Sequence, residues 1–347
     1  MTTTRRLGPY VSVATAVVAL AVSMAVALGV GAVSVPVHTV AEVVLRRTHL
    51  GGFDVRLIDD QIVWQLRMPR VLGAAAVGAG LATAGAVLQS LTRNDLADPY
   101  LLGISSGAAA GAVTVIVLGI PVVGLVGSAA VTTAGFAGAL LALVLVLLLA
   151  AGRGGSLSPT RTILSGVAIG AVAAAYSSLL ITLQGDSDAA RRVLAWTLGS
   201  LAGLRWDTAV LLAVVAALGC VLFWATAGQL DAFAFGENTA RSLGVHVERL
   251  RWGLMIATAL VTACLVAYAG TIGFVGLVVP HLVRSVTGPG HRLLLPLSAL
   301  VGATLLVWAD TLARTVIDGQ EMPVGVVTAV VGAPFFAWLL RRTGDTG

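Results

Sequence analysis

The sequence predicts an all-α, polytopic membrane protein with about ten transmembrane helices, on three observations. Hydrophobic residues make up 58% of the 347 positions and charged residues only 11%, against roughly 25% charged in soluble domains. There is too little polar side chain to coat a globule. The apolar residues also fall into runs of the length that a bilayer core about 30 Å thick requires, roughly 20 residues of helix. Finally, almost every charged residue stands at the end of such a run. Disorder, a disulfide scaffold and a nucleic-acid-binding domain are excluded on the same grounds.

The runs lie at about 11–33, 71–91, 100–118, 122–151, 162–183, 208–228, 253–270, 272–286, 296–316 and 324–340. One transmembrane domain is expected over 1–347. The first run follows Arg5 and Arg6. At about 23 residues it exceeds the usual 7–15 of a signal-peptide apolar region, so it reads as a span. Gly270, Gly273, Gly276 and Pro280 interrupt the seventh and eighth runs. A broken or short helix is predicted there, lining the pathway, because non-helical backbone at membrane depth must pack in protein or face a cavity. Small residues recur every third or fourth position from Gly73 to Gly85, which predicts close helix packing rather than a phosphate cradle.

Ten spans put both termini on one side. With the termini in the cytoplasm, twelve arginines fall inside and nine outside: Arg46, Arg47, Arg56, Arg67, Arg70, Arg191, Arg192, Arg205 and Arg314. The positive-inside bias has the right sign, and the outer arginines suggest a negatively charged outer partner. Longer outer segments are expected near 34–66, 184–207 and 317–323, with a short interfacial helix over Ala189–Leu201. The substantial inner connection is about 229–251.

All 21 basic residues are arginine. A P-loop needs a lysine on the β/γ-phosphates, and Schiff-base chemistry needs a lysine amine, so both are ruled out. The five histidines lack metal-ligand spacing, and Cys220 and Cys264 sit inside apolar runs as small buried side chains. No paired carboxylates, nucleophile elbow or CxxC is present. No catalytic residue, metal site or cofactor is expected. Asp310 is the main charge inside a span, with Arg314 four residues on as an i,i+4 partner. Ion coupling favours several unpaired acids near the midplane, so an ion-coupled secondary transporter is the lesser alternative. The chain offers a path without an energy source. Gly236–Val245 reads as a short amphipathic helix, with Ala240 and Leu243 on one face and Gly244 at its C′ position. It serves either as a handle for a cytoplasmic partner or as a plain connector.

Several motifs carry a resemblance. Arg67-Met68-Pro69-Arg70, Gly85-Ala86-Val87-Leu88-Gln89 and Arg93–Gly103 come first in the chain. Gly236–Gly244, Gly270–His281, Ala309–Arg314, Glu321–Thr328 and Gly332–Phe336 follow. In order and spacing, over roughly 60–342, they resemble the FecCD-type permeases. These are the membrane subunits of type II ABC importers for ferric siderophores, haem and cobalamin. Asp95 departs from the pattern, which usually has proline there.

The resemblance implies a ten-helix permease that works as a dimer in the cytoplasmic membrane of a prokaryote, paired with an identical or similar copy. Two ATP-binding cassette subunits on the cytoplasmic side and an extracytoplasmic binding protein would complete the machine. It implies docking of the binding protein on Arg67, Arg70 and Arg314, and ATPase coupling through Gly236, Glu237, Ala240, Arg241, Leu243 and Gly244. A gate at Pro159 and Thr160 is also implied, with a proline where the gate chemistry differs. The substrate expected first is an iron chelate, ferric siderophore or haem, with cobalamin as the alternative.

Overall fold

The computed structural model describes residues 9–31, 33–152, 157–317 and 319–344, and these fold into α-helices without a strand. Arg5 and Arg6 lie outside the described residues. In chain order the helices are α1 (Pro9–Gly29), α2 (Val37–Arg47), α3 (Leu57–Asp60), α4 (Met68–Thr92), α5 (Ile104–Leu118), α6 (Gly127–Ala150) and α7 (Pro159–Gln184). There follow α8 (Ser187–Thr197), α9 (Trp206–Ala225), α10 (Ala227–Ala234), α11 (Glu237–Ser242), α12 (Val247–Ala269), α13 (Val275–Thr287), α14 (His291–Ala313) and α15 (Val324–Gly344).

Each predicted run coincides with one of α1, α4–α7, α9 and α12–α15. Seven of these helices are long and apolar enough to cross a membrane, and α5, α13 and the Val324–Ala337 part of α15 are shorter apolar stretches. The expected interfacial helix is α8, started by Asp186, whose side chain accepts from the Ala189 N–H at 2.6 Å. Cys220 and Cys264 are free thiols, half-buried rather than fully enclosed.

Helix α4 is the axis of the bundle. It is apolar all round and buried along nearly its whole length, as a central helix must be. Helices α9, α12, α13 and α14 pack around it. The small residues allow this crowding. A Cβ on Gly78 would run into the Gly302 carbonyl of α14, and one on Gly85 into the Gly276 carbonyl of α13. Backbones meet there because no side chain stands between them.

The start of this helix lies well ahead of the predicted run at about 71–91, although Pro69 is a residue suited to a first helical turn. The helix begins at Leu57 and runs through a π-helical stretch, Gln61–Arg67, directly into α4. Proline has no N–H, and its ring clashes with the carbonyl four residues back. A widened turn, in which the Met68 N–H bonds to the Val63 carbonyl five residues back, carries the chain past Pro69 without ending the helix.

The predicted break near 270–280 is present. Helix α12 stops at Gly270 (φ 71°), and α13 starts after Phe274 (φ 69°). Pro280 inside α13 leaves the Gly276 carbonyl without its i+4 donor. The Gln89 side chain of α4 supplies one, with Nε2 at 3.4 Å from the Gly276 carbonyl and 3.2 Å from that of Leu277. The Tyr100 hydroxyl meets both the N–H and the C=O of Ile272, at 2.9 and 3.0 Å.

Gly78→Val is expected to lower stability in detergent by about 1–3 kcal/mol through overpacking. Gly253→Ala, in open space on α12, should leave the melting temperature unchanged or slightly raised. Equal effects of the two would contradict the close-crossing account.

Candidate functional site: charged clusters at the two ends of the bundle

The first cluster lies at the face predicted to be outer. The C-terminal carbonyls of α1 have no partner within their own helix, and two arginines satisfy them. Arg67, at the end of the π-helical stretch, donates through Nη1 to the Leu28 and Gly29 carbonyls at 2.7 and 3.0 Å. It also bonds the Val33 carbonyl. Arg314, just past α14, donates to the Ala27 carbonyl at 2.8 Å.

Arg70, in the first turn of α4, ties the other side together. Its Nε lies 3.0 Å from both carboxylate oxygens of Asp310, and its Nη1 lies 3.0 and 2.9 Å from the two oxygens of Glu321. The predicted Asp310–Arg314 pair exists at 3.6 Å, looser than the Arg70 contact. Asp310 is 1% exposed. A carboxylate so buried is tolerable only with cationic partners and good hydrogen bonds.

Arg67, Arg70 and Arg314 therefore do come together, and all three line one depression of about 1390 Å³ with Arg205, Asp207 and Glu321. Arg67 and Arg70 are 7% and 8% exposed, so their donors are engaged within the chain. Glu321, half exposed, covers Arg70. Trp206 forms part of the wall: its Nε1 donates to the Trp64 carbonyl at 2.8 Å, and the two rings lie 4.9 Å apart. Glu321 as the lid on Arg70 escaped the sequence reading, although its motif was noticed.

The second cluster lies at the opposite end, around α11. Gly236 (φ 103°) opens that helix and Gly244 (φ 83°) closes it. The Gly244 N–H bonds the Arg241 carbonyl and the Val245 N–H bonds the Ala240 carbonyl, both at 3.0 Å. This is a Schellman turn, with its customary contact between Val245 and Ala240. Ala240 is fully buried against Phe233 and Val247. Leu243 does not share that face: it caps the helix at the turn and is 66% exposed, and Phe235, just ahead of the helix, is exposed as well.

Glu237 accepts from Arg251 Nη2 at 2.5 Å and lies 3.5 Å from Arg241. Burial alone would raise the Glu237 carboxyl. The hydrogen bond from Arg251 and the charges of Arg251, Arg93 and Arg241 outweigh burial and hold it below its usual range. The stabilisation from this pairing is thus present above the ordinary carboxylate pKa and disappears only as pH falls through the depressed value.

Pro159 is the first residue of α7 and Thr160 is exposed beside it; neither side chain joins a cluster. Asp95, the departure from the motif, bonds Arg284 of α13 at 2.7 Å. A further chain links α10, α14 and α4. Asp231 accepts from the His291 backbone N–H at 2.8 Å and faces ring Nδ1 at 2.6 Å, while ring Nε2 faces Ser90 Oγ at 2.5 Å. The Ser90 hydroxyl also donates to the Ala86 carbonyl, so these residues act as a brace. Among the described residues no three His, Cys, Asp or Glu side chains converge as a metal site.

A bundle of apolar helices with charged clusters at two ends is the architecture of a multi-pass membrane protein. The chain belongs to the FecCD transport family, whose model matches residues 19–342, and is a permease of the ABC-importer class. A cobalamin import permease of Halobacterium salinarum is 46% identical over 81% of this chain and 73% of its own length. An Fe(3+)-citrate import permease of Bacillus subtilis is 38% identical over 98% of this chain and 97% of its own. A hemin transport permease of Yersinia pestis is 40% identical over 81% and 83%. Among solved structures, a chain described as of metal-chelate ABC transporter type, in an inward-facing conformation, aligns with TM-score 0.82. It is 30% identical and covers 95% of this chain and 98% of its own.

Asp310→Asn is expected to destabilise the protein by about 3–5 kcal/mol, because it leaves buried arginines uncompensated. Glu321→Gln, at a half-exposed site, should cost about 1 kcal/mol or less. Thermal unfolding in detergent measures both, and a reversed order would contradict the assignment of Asp310 as the core of the cluster.

Proposed function

We propose that the chain is the membrane subunit of an importer for a bulky metal chelate, fed by an external binding protein and driven by two separate ATPase subunits. The observation that carries this reading is the family match over nearly the whole chain, joined to charged clusters at both ends of the bundle. Both termini face the cytoplasm, so the depression around Arg70 opens outward and α11 projects inward. A second permease copy completes the pathway.

The outer depression is the docking site. Arg67, Arg70 and Arg314, with donors bonded within the chain, give its floor a positive field that favours an acidic face of the binding protein. The inner site is α11, where exposed Phe235 and Leu243 offer an apolar tip flanked by Glu237 and Arg241. Gly236, Ala240 and Gly244 shape and seat that tip. Pro159 and Thr160, at the inward start of α7, act at the gate. Proton coupling is disfavoured because Asp310, buried within α14, is held by Arg70 and Arg314 and is not free to relay a proton.

The substrate is an iron chelate, ferric siderophore or haem. The Fe(3+)-citrate relative, which aligns end to end, and the hemin relative support this. Cobalamin is the second reading, favoured by the 46% identical relative. ATPase stimulation by binding protein loaded with each chelate in turn discriminates them: stimulation by the cobalamin-loaded form alone would overturn the iron reading.

Two variants test the sites. Leu243→Asp should abolish copurification of the ATPase subunits; full retention would contradict the handle. Arg314→Gln should weaken binding-protein affinity about tenfold or more and flatten its dependence on salt. Affinity unchanged in Arg67→Gln, Arg70→Gln and Arg314→Gln alike would contradict the docking site.

A further inference from the structure

Besides the seat of Ala240, a buried guanidinium ties helix α11 to the bundle. Arg251, near the start of α12, is 3% exposed. Its Nη2 donates to Glu237 of α11 at 2.5 Å, and its Nη1 donates to the Leu157 carbonyl at 2.9 Å. Glu248 closes the circuit, with one oxygen 3.6 Å from Arg251 Nη1 and the other accepting from the Leu157 N–H at 3.4 Å. The Phe233 ring lies 5.8 Å from the guanidinium carbon.

Leu157 is 1% exposed and stands two residues before Pro159, the first residue of α7. That helix is the least enclosed of the long apolar helices: Leu164, Val172 and Leu183 are exposed along it. It packs on α5 and α6 along one side and is open along the other, so a tie at its start bears directly on where that end sits.

We propose that Arg251 is a positioning residue that transmits displacement of α11 to the start of α7, its guanidinium forming a rigid fork between the Glu237 carboxylate and the Leu157 backbone. This rests on α11 being the ATPase handle and adds the route by which its movement reaches the pathway. The chemistry suits the task. A planar guanidinium fixes the relative geometry of its acceptors, and a buried charge cannot release one partner without a large desolvation penalty. The two acceptors therefore move together. A brace serving α11 alone would need Glu237 only; the second prong, on a backbone carbonyl 94 residues away, has no bearing on the fold of α11.

The test places an environment-sensitive fluorophore on Arg161→Cys, exposed in the first turn of α7, in a Cys220→Ala, Cys264→Ala background, labelled before assembly with the ATPase subunits in nanodiscs. With Arg251 intact, ATP plus vanadate shifts the emission. In Arg251→Gln the ATPase subunits still copurify and hydrolyse ATP, but the emission shift, and substrate uptake by the same variant in sealed proteoliposomes, fall by about tenfold, within the usual range of coupling effects. Arg251→Lys, which keeps the charge and loses the fork, should behave the same way and covers the case in which Arg251→Gln fails to fold. Exchanging the charges, Glu237→Arg with Arg251→Glu, restores the ion pair but sets a carboxylate against the Leu157 carbonyl, so the shift should stay absent. A normal shift in the single Arg251 variants, or full rescue by the exchange, would overturn the proposal. Copurification keeps the two claims apart: ATPase subunits retained by Leu243→Asp contradict the handle, whereas a normal shift in Arg251→Gln contradicts only the role of Arg251.

Discussion

Asp310 and the arginines around it are the constraint on which the rest of the structure depends. A carboxylate 1% exposed in an apolar bundle is stable only if cations reach it with good geometry. Arg70 and Arg314 both do so. The same two arginines, with Arg67, are then committed elsewhere as well: to the open carbonyls of α1 and to Glu321 ahead of α15. One ionic cluster thereby gathers α1, α4, α14 and the approach to α15 at one end of the bundle. The depression lined by Arg67, Arg70 and Arg314 is a consequence of this arrangement, since a cationic floor remains where arginines outnumber acids.

The opposite end follows a similar logic with less burial. Arg251 plays the part of Arg70, and Glu237, Glu248 and the Leu157 carbonyl are its partners. Here the burial is reversed: the acids are partly exposed and the guanidinium, 3% exposed, is the enclosed partner. Between the two ends, α4 passes through the middle on glycine contacts, and the break at Gly270–Phe274 leaves backbone that Tyr100 and Gln89 satisfy.

What could be read from the sequence was local. The ten apolar runs could be read because bilayer thickness sets their length, and the end of α11 because Gly244 terminates a helix by its own backbone freedom. The close packing of α4 was visible in the spacing of Gly78 and Gly85. The π-helical entry to α4 was not, because Pro69 normally marks a helix start and here the Val63–Met68 hydrogen bond overrides it. The partners of Arg70, Gln89 and Arg251 lie 240, 187 and 94 residues away. No local spacing encodes such pairings. The same holds for the burial of Arg67 and Arg70, which as isolated residues read as surface groups.

The most direct measurement of the central claim is chelate accumulation in proteoliposomes that hold the permease, its ATPase subunits and external loaded binding protein. An ATP-driven path predicts accumulation that requires internal ATP, stops when the ATPase subunits are omitted, and persists when an uncoupler collapses the proton gradient. Accumulation that survives without the ATPase subunits and is abolished by the uncoupler would contradict the account.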